Sequence, residues 1–227
     1  WESTGMYGKS TVRKVDLQTG EVLSQTALPQ QDFGEGLVKD AKGRLVQLLW
    51  RTGKLYTYSP ETLERIGTHD SGLRDGWGIA TDGSRLYVTD SSTKLHTVSH
   101  ETLKVTETKE ITWKGTPVPW VNELEWIDGE LWGNIWQTEC IARINPRTAE
   151  VTSWVLMDGI TQLTARSQTP RMDVLNGIAW DAMQRRLFLT GKYWPKLYQI
   201  ALVKKPCHEA NSLEDSIPRK CMRSGRF

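Results

Sequence analysis

The sequence predicts an all-β fold, a five-bladed β-propeller, because a repeating unit, alternating strands and the absence of helical periodicity all favour it. A unit of four short strands recurs every 40 to 46 residues, which is the length of a propeller blade. Apolar and polar residues alternate within the strands, and no long stretch keeps a period of 3.6 residues. The connections are too short for the helical crossovers of a doubly wound α/β fold.

The repeating unit is recognised by its strands and by one turn. Each copy opens with a short apolar strand, and its second strand is predicted at residues 45–50, 86–90, 131–136 and 187–192. The third strand is predicted at residues 55–58, 95–98, 141–144 and 197–200. A turn with a threonine follows, and the equivalent threonines are 43, 40 and 46 residues apart: Thr19, Thr62, Thr102 and Thr148.

The copies also predict the domain organisation. The first copy, residues 1–28, lacks an opening strand, so we expect the first blade to be incomplete at the N-terminus. We expect residues 1–203 to form the propeller and catalytic domain, and residues 204–227 to be a polar, basic and disordered tail. Residues 159–171 are an insertion between the fourth and fifth units, and such an insertion on a regular scaffold is typical of a binding loop or lid.

Composition narrows the class of partner. A net charge of +2 over 227 residues does not indicate a nucleic-acid partner. The sequence contains no run of 18 apolar residues, so no membrane-spanning helix is predicted. We expect a monomer. The cysteines have no metal-ligand spacing, so no metal site is predicted from them. Cys207 and Cys221, which are 14 positions apart, could form a disulfide in an oxidising compartment.

Two positions of the unit vary in chemistry while keeping their place. Just before the opening strand they are Glu35, Trp77, Asn122 and Asn176; five positions after the leucine that starts the second strand they are Trp50, Ser91, Trp136 and Lys192. Because the first strands of a propeller line its channel, we expect these side chains to form a pocket at one channel mouth. Taken singly, each has a structural alternative: indoles pack between blades, Glu35 and Lys192 could form an ion pair, and asparagine is a common turn residue.

At these positions the sequence resembles the glutaminyl-peptide cyclotransferases of the plant and bacterial type, which are five-bladed propellers. The resemblance spans residues 1 to about 202 and is carried by these segments: Phe33-Gly34-Glu35-Gly36-Leu37, Gly76-Trp77-Gly78, Val121-Asn122-Glu123-Leu124-Glu125, Gly133-Asn134-Ile135-Trp136, Leu175-Asn176-Gly177 and Thr190-Gly191-Lys192-Tyr193-Trp194. Many short motifs in one order are more specific than any one of them. The family also has an upstream Phe-Thr-Gln-Gly-Leu strand, which would precede Trp1.

The resemblance implies roles for the predicted pocket. Glu35 would be the catalytic acid and base, and Asn122 and Lys192 would bind and polarise the substrate. Substrate-binding walls would come from the remaining residues: Phe33, Trp50, Trp77, Trp136 and Asn176. The implied enzyme is an acyltransferase that converts N-terminal glutamine of peptides and proteins to pyroglutamate and releases ammonia.

The same resemblance implies that catalysis requires no cofactor, although a structural calcium ion is compatible with it. It also implies a secretory or extracellular location, or a periplasmic one in a bacterium.

Two other functions fit the pocket. A calcium-dependent propeller hydrolase of the lactonase kind could use oxygen ligands from Glu35, Asn122 and Asn176. The positive charge of Lys192 at the same channel mouth would disfavour a bound cation. A non-catalytic propeller could bind peptides or glycans on its indoles.

Overall fold

The computed structural model describes residues 1–165, 172–205 and 213–222. The chain divides into two compact units, Trp1–Glu110 and Ile111–Phe227. Five sheets of three or four antiparallel strands, one for each predicted repeat, follow one another in simple meander order. They confirm the predicted class, an all-β five-bladed β-propeller. No helix among the described residues is long and apolar enough to cross a membrane.

The first unit holds three of these sheets. The first sheet has three strands: β1 (Glu2–Thr4), β2 (Thr11–Val15) and β3 (Val22–Ala27). The second has four: β4 (Gly34–Lys39), β5 (Leu45–Leu49), β6 (Lys54–Tyr58) and β7 (Arg65–Asp70). The third also has four: β8 (Gly76–Thr81), β9 (Leu86–Asp90), β10 (Lys94–Val98) and β11 (Val105–Glu110).

The second unit holds the other two sheets and a small hairpin, and two short helices are defined among its described residues. The hairpin is β12 (Thr112–Trp113) and β13 (Thr116–Pro117). The fourth sheet is β14 (Val121–Ile127), β15 (Glu130–Ile135), β16 (Cys140–Ile144) and β17 (Val151–Leu156). The fifth is β18 (Leu175–Asp181), β19 (Arg186–Gly191) and β20 (Tyr198–Ile200). The helices are α1 (Ile160–Ala165) and α2 (Ile217–Cys221).

The core lies between neighbouring sheets within each unit. Val46 and Leu48 of the second sheet pack against Ile79 and Val88 of the third. The fourth and fifth sheets enclose a similar cluster, which includes the buried indole of Trp132. Burial of these apolar side chains is the main stabilising term, at about 25 cal/mol per Å² removed from water.

The turn after the third strand shows that the repeat is real. The residue that follows the threonine has a left-handed backbone in every copy, with φ values of 74°, 58°, 54° and 59° at Gly20, Leu63, Leu103 and Ala149. Leu63, Leu103 and Ala149 adopt this conformation although they are not glycine, and all three are completely or almost completely buried. Packing therefore holds these side chains in a conformation that the backbone alone disfavours.

The insertion between the fourth and fifth sheets begins as packed structure. Ile160 of α1 is buried in the core cluster, and the Glu139 carboxylate accepts hydrogen bonds from the backbone N–H groups of Gly159 and Thr161 at 2.6 and 2.8 Å. Residues 166–171, the rest of the predicted loop or lid, lie outside the described residues.

The C-terminal segment corrects the expectation of a disordered tail. Cys221 forms a disulfide with Cys140 of β16, and both cysteines and Ile217 are buried. Lys220 also contacts Asp158 in an ion pair. The Cys207–Cys221 bond, which the sequence left open as a possibility, is therefore not formed, and Cys207 itself lies outside the described residues. Composition misses this segment because a covalent link and one isoleucine, rather than a run of apolar residues, attach it to the sheet.

Removal of this disulfide should destabilise the protein. The bond closes a loop of 81 residues, and a link of that kind typically contributes about 2–4 kcal/mol by restricting the unfolded chain. We expect Cys140→Ser to lower the free energy of unfolding by this amount in urea titrations. Cys207→Ser leaves the bond intact and is the matched control. Equal losses for the two variants would contradict the Cys140–Cys221 pairing.

Candidate active site

Each of the four opening strands has a β-bulge at the same place. In the second sheet Gly34 pairs with Leu49, whereas Leu37 pairs with Gln47, so two residues of β4 face one residue of β5. The same shift recurs in the third, fourth and fifth sheets. The bulges contain the predicted site residues Glu35, Trp77, Asn122 and Asn176. Because a bulge re-aims side chains at the end of a strand pair, it gives these four residues one structural position.

The second set of predicted residues lies at the same end of each hairpin. The backbone N–H of Trp50 donates to Phe33 O at 3.0 Å, and that of Lys192 donates to Val174 O at 2.9 Å. Trp136 makes the corresponding bond to Trp120 O at 2.8 Å. Within each sheet the two predicted sets are therefore neighbours. Their convergence on one pocket stays a prediction.

The backbone of Glu35 is held by a partly buried series of hydrogen bonds. The Ser3 hydroxyl donates to Glu35 O at 2.5 Å and accepts from Gln47 Nε2 at 2.8 Å. The Tyr58 hydroxyl in turn donates to Gln47 Oε1 at 2.8 Å. Gln47 and Tyr58 are almost wholly buried, and burial raises the pKa of the Tyr58 hydroxyl. These hydrogen bonds connect the bulge at Glu35 to three other strands: Ser3 lies on β1, Gln47 on β5 and Tyr58 on β6.

The two glycines beside Glu35 are required by close packing. A Cβ on Gly34 would lie 2.5 Å from Gln47 Nε2, and one on Gly36 would lie 2.7 Å from the carbonyl oxygen of Trp77. The second contact brings β4 and β8 together at the bulge. Sequence reasoning identified the Gly-Glu-Gly segment by resemblance, and close backbone approach is its physical reason.

Three aromatic rings pack together in the first unit, and one of them, Phe33, lies two residues before Glu35 in the sequence. Phe33 and Trp50 meet edge to face, with ring centroids 5.4 Å apart. Tyr7, which the sequence did not single out as a site residue, lies 5.3 Å from Phe33 and 6.3 Å from Trp50. Such offset contacts are favourable and hold the three rings in fixed positions relative to one another. Trp77 is almost completely buried.

In the second unit, the Lys192 backbone is tied to the segment that leads into the Asn176 bulge. Asp173 N–H donates to Lys192 O at 3.0 Å, opposite the bond from Lys192 N–H to Val174 O. Gly191 lies directly against the Trp194 ring, and a Cβ at position 191 would come within 2.4 Å of that ring. The Lys192 ammonium lies 5.9 Å from the centroid of the Tyr193 ring.

Comparison with known proteins identifies the family. The family model described as glutamine cyclotransferase matches residues 1–202. The chain belongs to the glutamine cyclotransferase family. A glutaminyl-peptide cyclotransferase of Arabidopsis thaliana is 42% identical over 214 residues, which cover 94% of this chain and 67% of that protein.

One solved structure agrees with this assignment to the glutamine cyclotransferase family, an acyltransferase family. The crystal structure of Myxococcus xanthus glutaminyl cyclase is 30% identical, with a TM-score of 0.80 over 88% of this chain and 84% of that one. A chain of a nidogen/laminin complex is 14% identical, with a TM-score of 0.55 over 83% of this chain and 69% of its own length. The second likeness shows the propeller fold alone.

One carboxyl group of the second unit, that of Glu125, was not among the predicted site residues. Glu125 lies on β14, opposite Trp132, and burial raises its pKa to about 8, opposed only in part by a hydrogen bond from the backbone of Trp180. A buried carboxyl of this kind is neutral over much of the ordinary pH range. The sequence pattern gave no sign of it, because the residue as a whole is only half-buried, although its carboxyl group is largely removed from water.

The Glu125 pKa predicts how stability depends on pH. Between the unfolded value near ~4.3 and the folded value of about 8, the folded state binds a proton that the unfolded state has lost, so stability falls as pH rises. This group alone lowers the free energy of unfolding by at most about 1.4 kcal/mol for each pH unit in that range. Urea titrations from pH 5 to 8 should show a shallower decline for Glu125→Gln than for the wild type. The exposed Glu150→Gln is the control, and parallel curves for wild type and Glu125→Gln would refute the shift.

Proposed function

We propose that this chain is a glutaminyl-peptide cyclotransferase, which converts N-terminal glutamine of peptides and proteins to pyroglutamate with release of ammonia. The observation that carries the proposal is Glu35, held in a glycine-flanked bulge beside Phe33 and Trp50 in a chain that belongs to this enzyme family. The ring closure is intramolecular, so a pocket that holds the bent glutamine supplies most of what the reaction needs.

Glu35 would serve as both base and acid. An N-terminal amine must be neutral to attack its own γ-carboxamide carbon, and free α-amines titrate near pH ~7.7–8.0. The carboxylate would take a proton from the attacking amine and return it to the departing nitrogen, because ammonia leaves readily only when that nitrogen is protonated. General acid–base help of this kind is typically worth about 10²–10⁴ in rate.

Lys192 and Asn122 would stabilise the tetrahedral intermediate. Negative charge develops on the carboxamide oxygen when the amine adds, and an ammonium and an amide N–H are suitable donors to that oxygen. Rings at Phe33, Trp50, Trp77 and Trp136, with Asn176, would bind the glutamine side chain. Apolar walls would also limit access of water and thereby suppress plain hydrolysis to glutamate.

We propose that this chemistry requires no cofactor, since a carboxylate and two donors complete it, and a calcium ion in the protein would then have a structural role. We further propose a monomer in the secretory pathway or outside the cell, or in the periplasm of a bacterium. The Cys140–Cys221 disulfide supports this location, because structural disulfides persist in oxidising compartments.

A chelator separates the proposal from a calcium-dependent hydrolase. Ammonia release from a glutamine-initiated peptide should continue at an unchanged rate in excess EDTA, and a simple lactone should not be hydrolysed. An alanine-initiated peptide of otherwise equal sequence is the control substrate. Calcium-dependent lactone hydrolysis without ammonia release would instead favour the hydrolase.

A further inference from the structure

Asp75 forms an unusual connection between the second and third sheets. Its carboxylate accepts a hydrogen bond from the Trp50 indole Nε1–H at 2.8 Å. The other oxygen accepts from the Ser91 hydroxyl and, at 3.3 Å, from the Ser91 backbone N–H. Three donors from two sheets thus meet one half-buried carboxylate.

The repeat shows that this carboxylate departs from the pattern of the other blades. Asp75 lies two residues before the bulge residue Trp77, and the equivalent positions hold Phe33, Trp120 and Val174. In those three sheets a backbone carbonyl accepts the closing N–H of the hairpin. In the third sheet the equivalent N–H, that of Ser91, donates to the Asp75 side chain instead.

This departure has a consequence for Trp50. The indole is also stacked beneath Arg51, whose guanidinium carbon lies 4.1 Å from the ring centroid, and it meets Phe33 and Tyr7 on its other sides. Ring contacts permit sliding and tilting, whereas a hydrogen bond to an anionic acceptor fixes the direction of the N–H. Among the described residues, Asp75 is the one that supplies such a bond to the Trp50 indole.

We infer that Asp75 is a positioning residue for substrate binding, which holds the Trp50 indole at the angle that shapes the wall beside Glu35. The inference rests on the proposed function, because it assigns Trp50 to the glutamine pocket. Asp75 itself need not touch the substrate. Its loss should therefore weaken binding more than it slows the chemical step.

Steady-state kinetics with a glutamine-initiated peptide tests this role. Asp75→Ala should raise KM about tenfold and change kcat less than about twofold, since one charge-assisted hydrogen bond is lost. Asp75→Asn keeps an oxygen that can accept from Trp50 and should restore most of the affinity. Trp50→Phe removes the N–H donor, so Trp50→Phe/Asp75→Ala should have the same KM as Trp50→Phe alone.

Asp82→Ala is the matched control. Asp82 lies in the turn at the opposite end of the same β8–β9 hairpin and accepts bonds from Ser84, Arg85 and Tyr87. Its loss should lower stability and leave KM unchanged. An unchanged KM in Asp75→Ala, or a KM effect that adds fully to that of Trp50→Phe, would overturn the inference.

A second measurement is independent of turnover. In protein labelled with ¹⁵N-tryptophan, the Trp50 indole N–H signal is assigned by its loss in Trp50→Phe. It should move and exchange faster with solvent in Asp75→Ala but not in Asp82→Ala. An unmoved signal would overturn the positioning role even if the wild type released no ammonia, whereas a moved signal in an inactive wild type would contradict the proposed function alone.

Discussion

Glu35→Gln should lower kcat for a glutamine-initiated peptide by about 10²–10⁴, the usual contribution of general acid–base catalysis, and should change KM far less. Glutamine has the shape of glutamate, and the Ser3 bond is made to the backbone oxygen of residue 35, so the bulge should persist. The amide can neither take the proton of the amine nor return it to the leaving nitrogen.

Initial rates of ammonia release at several peptide concentrations measure this effect. Glu61→Gln removes a carboxylate from an exposed turn of the same unit and is the control. Unfolding in urea should occur at the same concentration for wild type, Glu35→Gln and Glu61→Gln. A Glu35→Gln protein with kcat near that of the wild type would remove Glu35 from the mechanism.

Lys192→Ala should lower kcat by about 10²–10³, the typical cost of removing one donor to a developing oxyanion. The backbone bonds that place residue 192 at the end of β19 do not involve its side chain, so the hairpin should keep its register. Binding of the uncharged carboxamide in the ground state depends less on the ammonium, and KM should therefore change less than kcat.

Lys196→Ala is the control for this variant, because Lys196 is an exposed lysine of the same segment. Single-turnover rates with enzyme in excess isolate the chemical step from product release. If Lys192→Ala raised KM and left the single-turnover rate unchanged, Lys192 would bind substrate without stabilising the intermediate.

The sequence predicted those features that repeat at short range. The threonine turns recur every 40 to 46 residues and the bulge positions every 42 to 54, so comparing copies identifies Glu35 and Asn122 as equivalent without any structure. The same comparison identifies Lys192 as the residue that follows a second strand. The ends of the second and third strands of each unit were predicted within about one residue of the observed ones.

Contacts between distant segments were not predictable in this way. Ser3, Gln47 and Tyr58 support Glu35 through hydrogen bonds that join three strands, and none of them is unusual in its own segment. The Cys140–Cys221 disulfide spans 81 residues, and its pairing depends on where the chain returns to β16. Asp75 could have been noticed, because it is a carboxylate where the other copies have apolar residues.

The most direct test of the account is the mass of a glutamine-initiated peptide after incubation with this protein. We predict that the peptide loses the mass of one ammonia, that its N-terminus becomes blocked to amine-reactive reagents, and that Glu35→Gln slows both changes together. A peptide that keeps its mass and its free amine with the wild-type protein, under conditions where the protein is folded, would contradict the proposed activity.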